Sequence, residues 1–194
     1  MTESTTGVPA HIWTAVSLGE GSPTEVPLPD ATVGGMSGLL EILEARGGRD
    51  DLPKLAHDLT FEVDDLLPLV DAAQLLGLAS VVAADMEITE AGRGFVTADI
   101  QRSKEIFARH AEERAPLVRA ICRSLRSTKD GTLGEGFFIG LLHRGFSEEE
   151  VRKQLDTAIQ WGRYAELFDF DANTGQLTLE PPRLSTEHKG EPKS

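Results

Sequence analysis

Few residues in this chain could do covalent or metal chemistry, and their spacing argues against most of it. Cys122 is the only cysteine. It has no partner for an internal disulfide, cannot build a thiolate zinc site, and falls on the apolar face of an expected helix, where thiols are inert. The histidines (His11, His57, His110, His143 and His188) show no His-x-x-x-His spacing. Asp169, Asp171, Asn173 and Glu180 make a calcium-like string. An EF-hand loop, however, needs Gly at its sixth place, where Thr174 stands, and helices at its flanks, where strands are expected. No Lys follows a Gly, so a phosphate-cradling Gly-Lys-Ser/Thr loop is missing, and no Gly-x-Ser-x-Gly elbow occurs. The sequence reads as that of a non-enzyme, without catalytic residues, metal site or cofactor.

Charge is the richer signal. The formal net charge is −13, which disfavours phosphate backbones and anionic lipid surfaces alike. The acids cluster. Glu62, Asp64, Asp65 and Asp71 share one expected helix that has no Lys or Arg between positions 62 and 77. A second expected helix begins Glu148-Glu149-Glu150 and adds Asp156, against Arg152, Lys153 and Arg163. Cations concentrate between Asp99 and Lys129, with Arg102, Lys104, Arg109, Arg114, Arg119, Arg123 and Arg126 among them. That stretch is either a solvated helix face laced with pairs such as Glu105/Arg109 or a docking face for an acidic partner, such as the acidic helices of a second copy. The residues expected to bind a protein partner are Asp64, Asp65, Asp71, Glu149 and Glu150 on the acidic side, and Arg102 and Arg109 on the basic side.

The elements that must position these charges repeat. Phe61-Glu62-Val63-Asp64-Asp65-Leu66 is followed by Asp71-Ala72-Ala73-Gln74-Leu75-Leu76-Gly77. Phe146-Ser147-Glu148-Glu149-Glu150-Val151 is followed by Asp156-Thr157-Ala158-Ile159-Gln160-Trp161-Gly162, at an offset of 85 throughout. Each copy reads as an acidic-capped helix that stops at Gly77 or Gly162 and enters a hairpin, the second half of a winged helix. Helical periodicity from Met36 ends at Gly47-Gly48, and Asp50-Asp51 caps a short helix bearing Leu52, Leu55 and Leu59. The first hairpin is expected over 78–83 and 86–89, and Thr89 caps the helix after it. The next helix runs from Asp99 with Ile100, Phe107 and Ala111 on one face, and Pro116 breaks it near Arg114-Ala115. The second hairpin turns at Ala172-Asn173-Thr174-Gly175, where Asn and Gly supply positive φ.

The expected fold class is mainly α with two short β-hairpins, as tandem winged-helix units joined by a long central helical segment. Residues 1–35 form an extended arm, whose Ile12, Trp13, Val16 and Leu18 could dock on the body. Residues 36–97 form the first winged-helix unit, 98–115 the connecting helix, 116–180 the second unit and 181–194 a disordered tail. No apolar run approaches the ~18 residues of a membrane span, and the start lacks a secretory signal, so a cytoplasmic protein without membrane insertion is expected. A helix 62–76 without cations cannot supply the guanine and phosphate contacts of a recognition helix, so no nucleic acid is expected.

Several stretches taken together resemble the AAA-associated C-terminal domain. They are Gly35-Met36-Ser37-Gly38-Leu39-Leu40-Glu41-Ile42-Leu43, Arg46-Gly47-Gly48-Arg49-Asp50-Asp51-Leu52, Glu62-Val63-Asp64-Asp65-Leu66-Leu67-Pro68, Ala98-Asp99-Ile100 and Trp161-Gly162-Arg163-Tyr164-Ala165-Glu166-Leu167-Phe168. The resemblance covers about Gly34 to Leu179. Domains of this family follow the ATPase of some nitrate/sulfonate/bicarbonate-type ABC transporters and also occur as stand-alone proteins. The resemblance implies a non-enzymatic accessory or regulatory protein-binding module linked to an anion-uptake ATPase. It brings no catalytic or ligand residue with it. With no ATPase signatures of its own, the chain is expected to act on a transporter ATPase in trans or on a second copy of itself. A small-molecule sensor holding an anion between the units and a winged-helix transcription regulator are the alternatives.

Overall fold

Thr32 starts the first helix because its hydroxyl accepts the Gly35 amide at 3.1 Å. The computed structural model describes residues 21–59 and 63–181, and here α1 (Val33–Ala45) begins three residues ahead of the expected Met36. Residues 1–20 with Ile12, Trp13, Val16 and Leu18, residues 60–62 with Phe61 and Glu62, and the tail 182–194 lie outside the described residues. α1 ends where Gly47 (φ +91°) lets its own amide reach Glu44 and the Gly48 amide reach Leu43. The chain then enters β1 (Arg49–Asp51), a strand the periodicity did not signal. The Asp51 carboxylate accepts the Lys54 amide at 3.0 Å, so it still caps α2 (Leu52–Leu59).

Next come α3 (Val63–Leu75), β2 (Ala79–Val82), β3 (Asp85–Ile88) and α4 (Glu90–Thr97), the last capped by Thr89. α5 (Ile100–Arg114) is capped by Asp99 and ends at Ala115, one residue before Pro116 opens α6 (Pro116–Ser127), as the proline requires. β4 (Thr132–Gly134), α7 (Glu135–Leu142), α8 (Glu148–Tyr164), β5 (Phe168–Asp171) and β6 (Gln176–Leu179) complete the described chain. It is mainly helical, with two antiparallel sheets of order β1-β3-β2 and β4-β6-β5. Each expected hairpin thus carries a third strand. A three-residue strand is too short to leave a period-two pattern.

The order helix, strand, helix, helix, hairpin occurs twice, but not at one offset. The strands β1 and β4 begin 83 positions apart, α3 and α8 begin 85 apart, and β2 and β5 begin 89 apart. α8 has 17 residues against 13 in α3, one turn more. The matched glycines therefore play different parts. Gly77 (φ +68°) is a true helix stop, with the Leu78 amide donating to Ala73 and its own amide to Gln74. Gly162 lies inside α8, and the same stop is made by Glu166 (φ +53°), with the Leu167 amide on Gly162 and the Glu166 amide on Arg163. In the second hairpin turn positive φ is found at Gly175 alone. Asn173 instead donates its amide to the Asp171 carboxylate at 2.8 Å.

One continuous apolar core joins the two halves. Its centre is Phe107 of α5, fully buried, with Phe95 at 6.1 Å and the edges of Trp161 and Tyr164 at 5.8 and 5.2 Å. Ile100, expected on the same buried face, is 67% exposed. It sits in the first turn of α5, ahead of the packed stripe Ser103, Ile106, Phe107, His110 and Ala111.

Candidate functional site

Before α1, residues 21–32 start in a turn, with the Glu25 and Val26 amides on Ser22 C=O, and run on outside helix or strand, but they do not stand free. Val26, Leu28 and Ala31 are buried. Gln154, on the inner stripe of α8, donates its side-chain amide to Leu28 C=O at 2.9 Å and accepts the Leu28 amide at 2.6 Å. Trp161, two turns on, donates its indole N–H to Ala31 C=O at 2.8 Å. α8 therefore supplies the hydrogen bonds that a neighbouring strand would otherwise give this strap. Sequence reasoning missed Gln154, although a polar residue at i+3 between Val151, Leu155 and Ala158 on an apolar stripe was a readable sign.

The acidic residues expected to bind a partner have unequal roles. Asp65 is exposed on α3, and the side chain of Asp64 lies outside the described residues. Asp71 is half-buried, and desolvation raises its carboxyl above the usual aspartate range. Glu150 closes a capping box with Ser147, accepting the Ser147 amide at 2.9 Å, and these bonds lower its pKa. Glu149 is exposed and pairs with Lys153 at 2.8 Å. Among the described carboxylates of this set, Asp65 and Glu149 are the exposed ones that do no structural task beyond a surface pair.

The basic residues separate in the same way. Arg102 is spent on Glu105, one turn along α5 at 2.9 Å, so the expected pair Glu105/Arg109 does not form. Lys104 reaches across to Glu166 at 2.7 Å, which ties α5 to the end of α8. Arg109 is exposed and faces a concavity of about 420 Å³ at the α5–α6 elbow, shared with Glu112, Glu113, Arg119, Arg123 and Arg126. Arg126 forks both Nη atoms onto Glu112, with Nη2 to Oε2 at 3.0 Å, and this lowers the Glu112 carboxyl. Arg119 Nη1 donates to the Glu113 carbonyl at 2.7 Å, near the C-terminal end of α5 where cations are favoured. Arg109 and Arg123 form no ion pair among the described residues. Pro116 makes this grouping. By breaking the helix it folds α6 back so that Arg119 and Arg123 come to the same side as Arg109.

The groups with chemical potential are otherwise engaged. Cys122 is fully buried and its thiol is pushed up to about 12, chiefly by burial. His110 is buried, with Nδ1 at 2.8 Å from Leu76 C=O; the neutral ring donates there, and desolvation holds its pKa low. Asp169 pairs with Arg163 at 2.9 Å and Asp171 binds its own turn. Among the described residues no group of three His, Cys, Asp or Glu could hold a metal ion, and no helix is long and apolar enough to cross a membrane.

Residues 53–171 match the model of the C-terminal AAA-associated domain, and the chain belongs to that family. Neither the curated proteins nor the solved structures gave a match. Membership suggests an accessory role linked to AAA or ABC ATPases.

Proposed function

We propose that this protein is a non-enzymatic docking and regulatory module for an ABC-type uptake ATPase. The family match over 53–171 carries the reading. The repeated order of helix, strand, helix, helix and hairpin supports taking the chain as two winged-helix units, with α5 wedged between them. In that reading α3 and α8 stand where a DNA-binding winged helix places its recognition helix. The first turns of both are acidic, which suits a basic protein surface and opposes a phosphate backbone. Asp65 on α3, with Glu148 and Glu149 on α8, would make the contact, and Glu150 would hold the start of α8 in shape. A buried Cys122 with its thiol raised to about 12 agrees with a module that performs no nucleophilic chemistry.

The test is co-purification from native lysate followed by ATP turnover of the recovered complex. An ABC-type ATPase should be captured, and Asp65→Lys with Glu148→Lys and Glu149→Lys should abolish capture while circular dichroism stays unchanged. Capture of the same ATPase by the folded variant would move the contact elsewhere on the chain. Submicromolar, sequence-selective duplex binding would replace the reading with a transcription regulator.

A further inference from the structure

We propose that the concavity at the α5–α6 elbow receives a short acidic segment of a protein partner, through Arg109, Arg119 and Arg123. This rests on the reading of the chain as a docking module and names the chemistry of a second contact. Most described cations are already matched to carboxylates, as Arg102, Lys104, Arg126 and Lys153 are. Arg109 and Arg123 are not, and Arg119 is held only through a backbone carbonyl. Gathering guanidinium groups in one place costs repulsion that a chain of net charge −13 could relieve with its own acids, and here Glu112 and Glu113 relieve it only in part.

The neighbouring pair shows what fits. Arg126 holds the Glu112 carboxylate with both Nη atoms within the same concavity, which is the fork geometry that a further carboxylate would meet at Arg109 or Arg123. Arg119 and Arg123 lie one turn apart on α6, so their side chains rise about 6 Å apart. Two carboxylates at i and i+4 of a helix have the same spacing. Glu112 and Glu113 line the concavity as well, which leaves a modest local excess of positive charge suited to a pair of carboxylates and hostile to an extended polyanion. Arg109 and Arg123 are exposed, and no described contact depends on either side chain, so nothing in the fold requires them.

The experiment uses the full chain and a fluorescein-labelled, alanine-based helical peptide carrying two Glu pairs at i and i+4, read by fluorescence anisotropy. A peptide with Gln in place of Glu is the control. Arg109→Glu with Arg123→Glu should weaken binding at least about tenfold, whereas Arg144→Glu with Arg152→Glu, an equal change of net charge at exposed sites elsewhere, should weaken it less than about twofold. The Arg→Gln pair at 109 and 123 should follow the Glu pair, and circular dichroism confirms folding. Equal weakening by both Glu pairs, equal binding of the Gln peptide, or no binding by the wild type overturns the proposal. Saturable binding of inorganic phosphate that displaces the peptide overturns it in favour of a small-anion site. Self-association lost with the Arg109/Arg123 pair overturns it in favour of a second copy. The assay needs no ATPase, so failure to capture one leaves its outcome intact.

Discussion

The segments 33–88 and 116–179 run through the same order of elements and use it for different ends. In the first, α2 is amphipathic, with Leu55 and Ala56 buried and Lys54, His57 and Asp58 outward. In the second, α7 at the same place is apolar nearly throughout, and Phe137 is 55% exposed on it. The third helices differ more. α3 stops on time at Gly77, whereas α8 runs a turn further and brings Trp161 and Tyr164 against Phe107. That added turn and Gln154 make α8 the support for both the strap 21–32 and the connecting helix. A repeated order of elements therefore does not give repeated duties.

The largest effect should separate Trp161 from Leu76, the pair that the offset of 85 places together. Trp161→Ala removes a fully buried ring, its edge contact with Phe107 and the bond to Ala31, and should cost about 4 kcal/mol in urea unfolding. Leu76→Ala should cost about 3 kcal/mol, and hydrogen exchange should show the strap released in the first variant alone. Release of the strap in both would mean that the join is shared evenly between the halves.

Gln154→Leu comes next. It keeps the volume but strands the Leu28 amide and carbonyl, for about 2 kcal/mol. Exchange of the Leu28 amide should rise far more than that of Leu78, whose bond to Ala73 belongs to the other half. Parallel increases would show that the whole fold, rather than the strap, had loosened.

The two glycines then give opposite rescues. On Gly162 a Cβ would collide with the Phe168 ring, so Gly162→Ala should cost about 2 kcal/mol despite better helix propensity, and Phe168→Leu should recover part of it. Gly77→Ala should cost about 1 kcal/mol because of its positive φ, and no neighbouring substitution should restore that. A rescue of Gly77→Ala by shortening Arg114, which lies against that site, would make it a packing position too.

The smallest effect is a gain. Ala83 (φ +51°) and Ala84 (φ +74°) form the two-residue turn between β2 and β3, where both central residues need positive φ. Ala84→Gly should stabilise by about 0.5–1 kcal/mol in thermal melts. Gly175→Ala in the other turn should destabilise by a similar amount. No gain at Ala84 would mean that the strain is already relieved by the sheet around it.

Local signals decided what could be read in the chain alone. Thr89 and Ser147 as caps, Asp99 and Pro116 as helix starts, and Gly47 and Gly77 as stops were legible, because each acts through bonds to residues within one or two turns. The family, too, was legible, since its motifs are short strings kept in order. Strands of three residues and the hidden extra turn of α8 were not, because neither changes the hydrophobic period by much. Four residues add only about 40° to a helix face. Only tertiary structure decided which charges remain available. Asp71 is half-buried, Lys104 reaches Glu166, Arg126 reaches Glu112 across the elbow, and Arg109 meets Arg119 and Arg123. A charge pair depends on distances across the fold of a few ångströms, and spacing along the chain fixes those only within one helix.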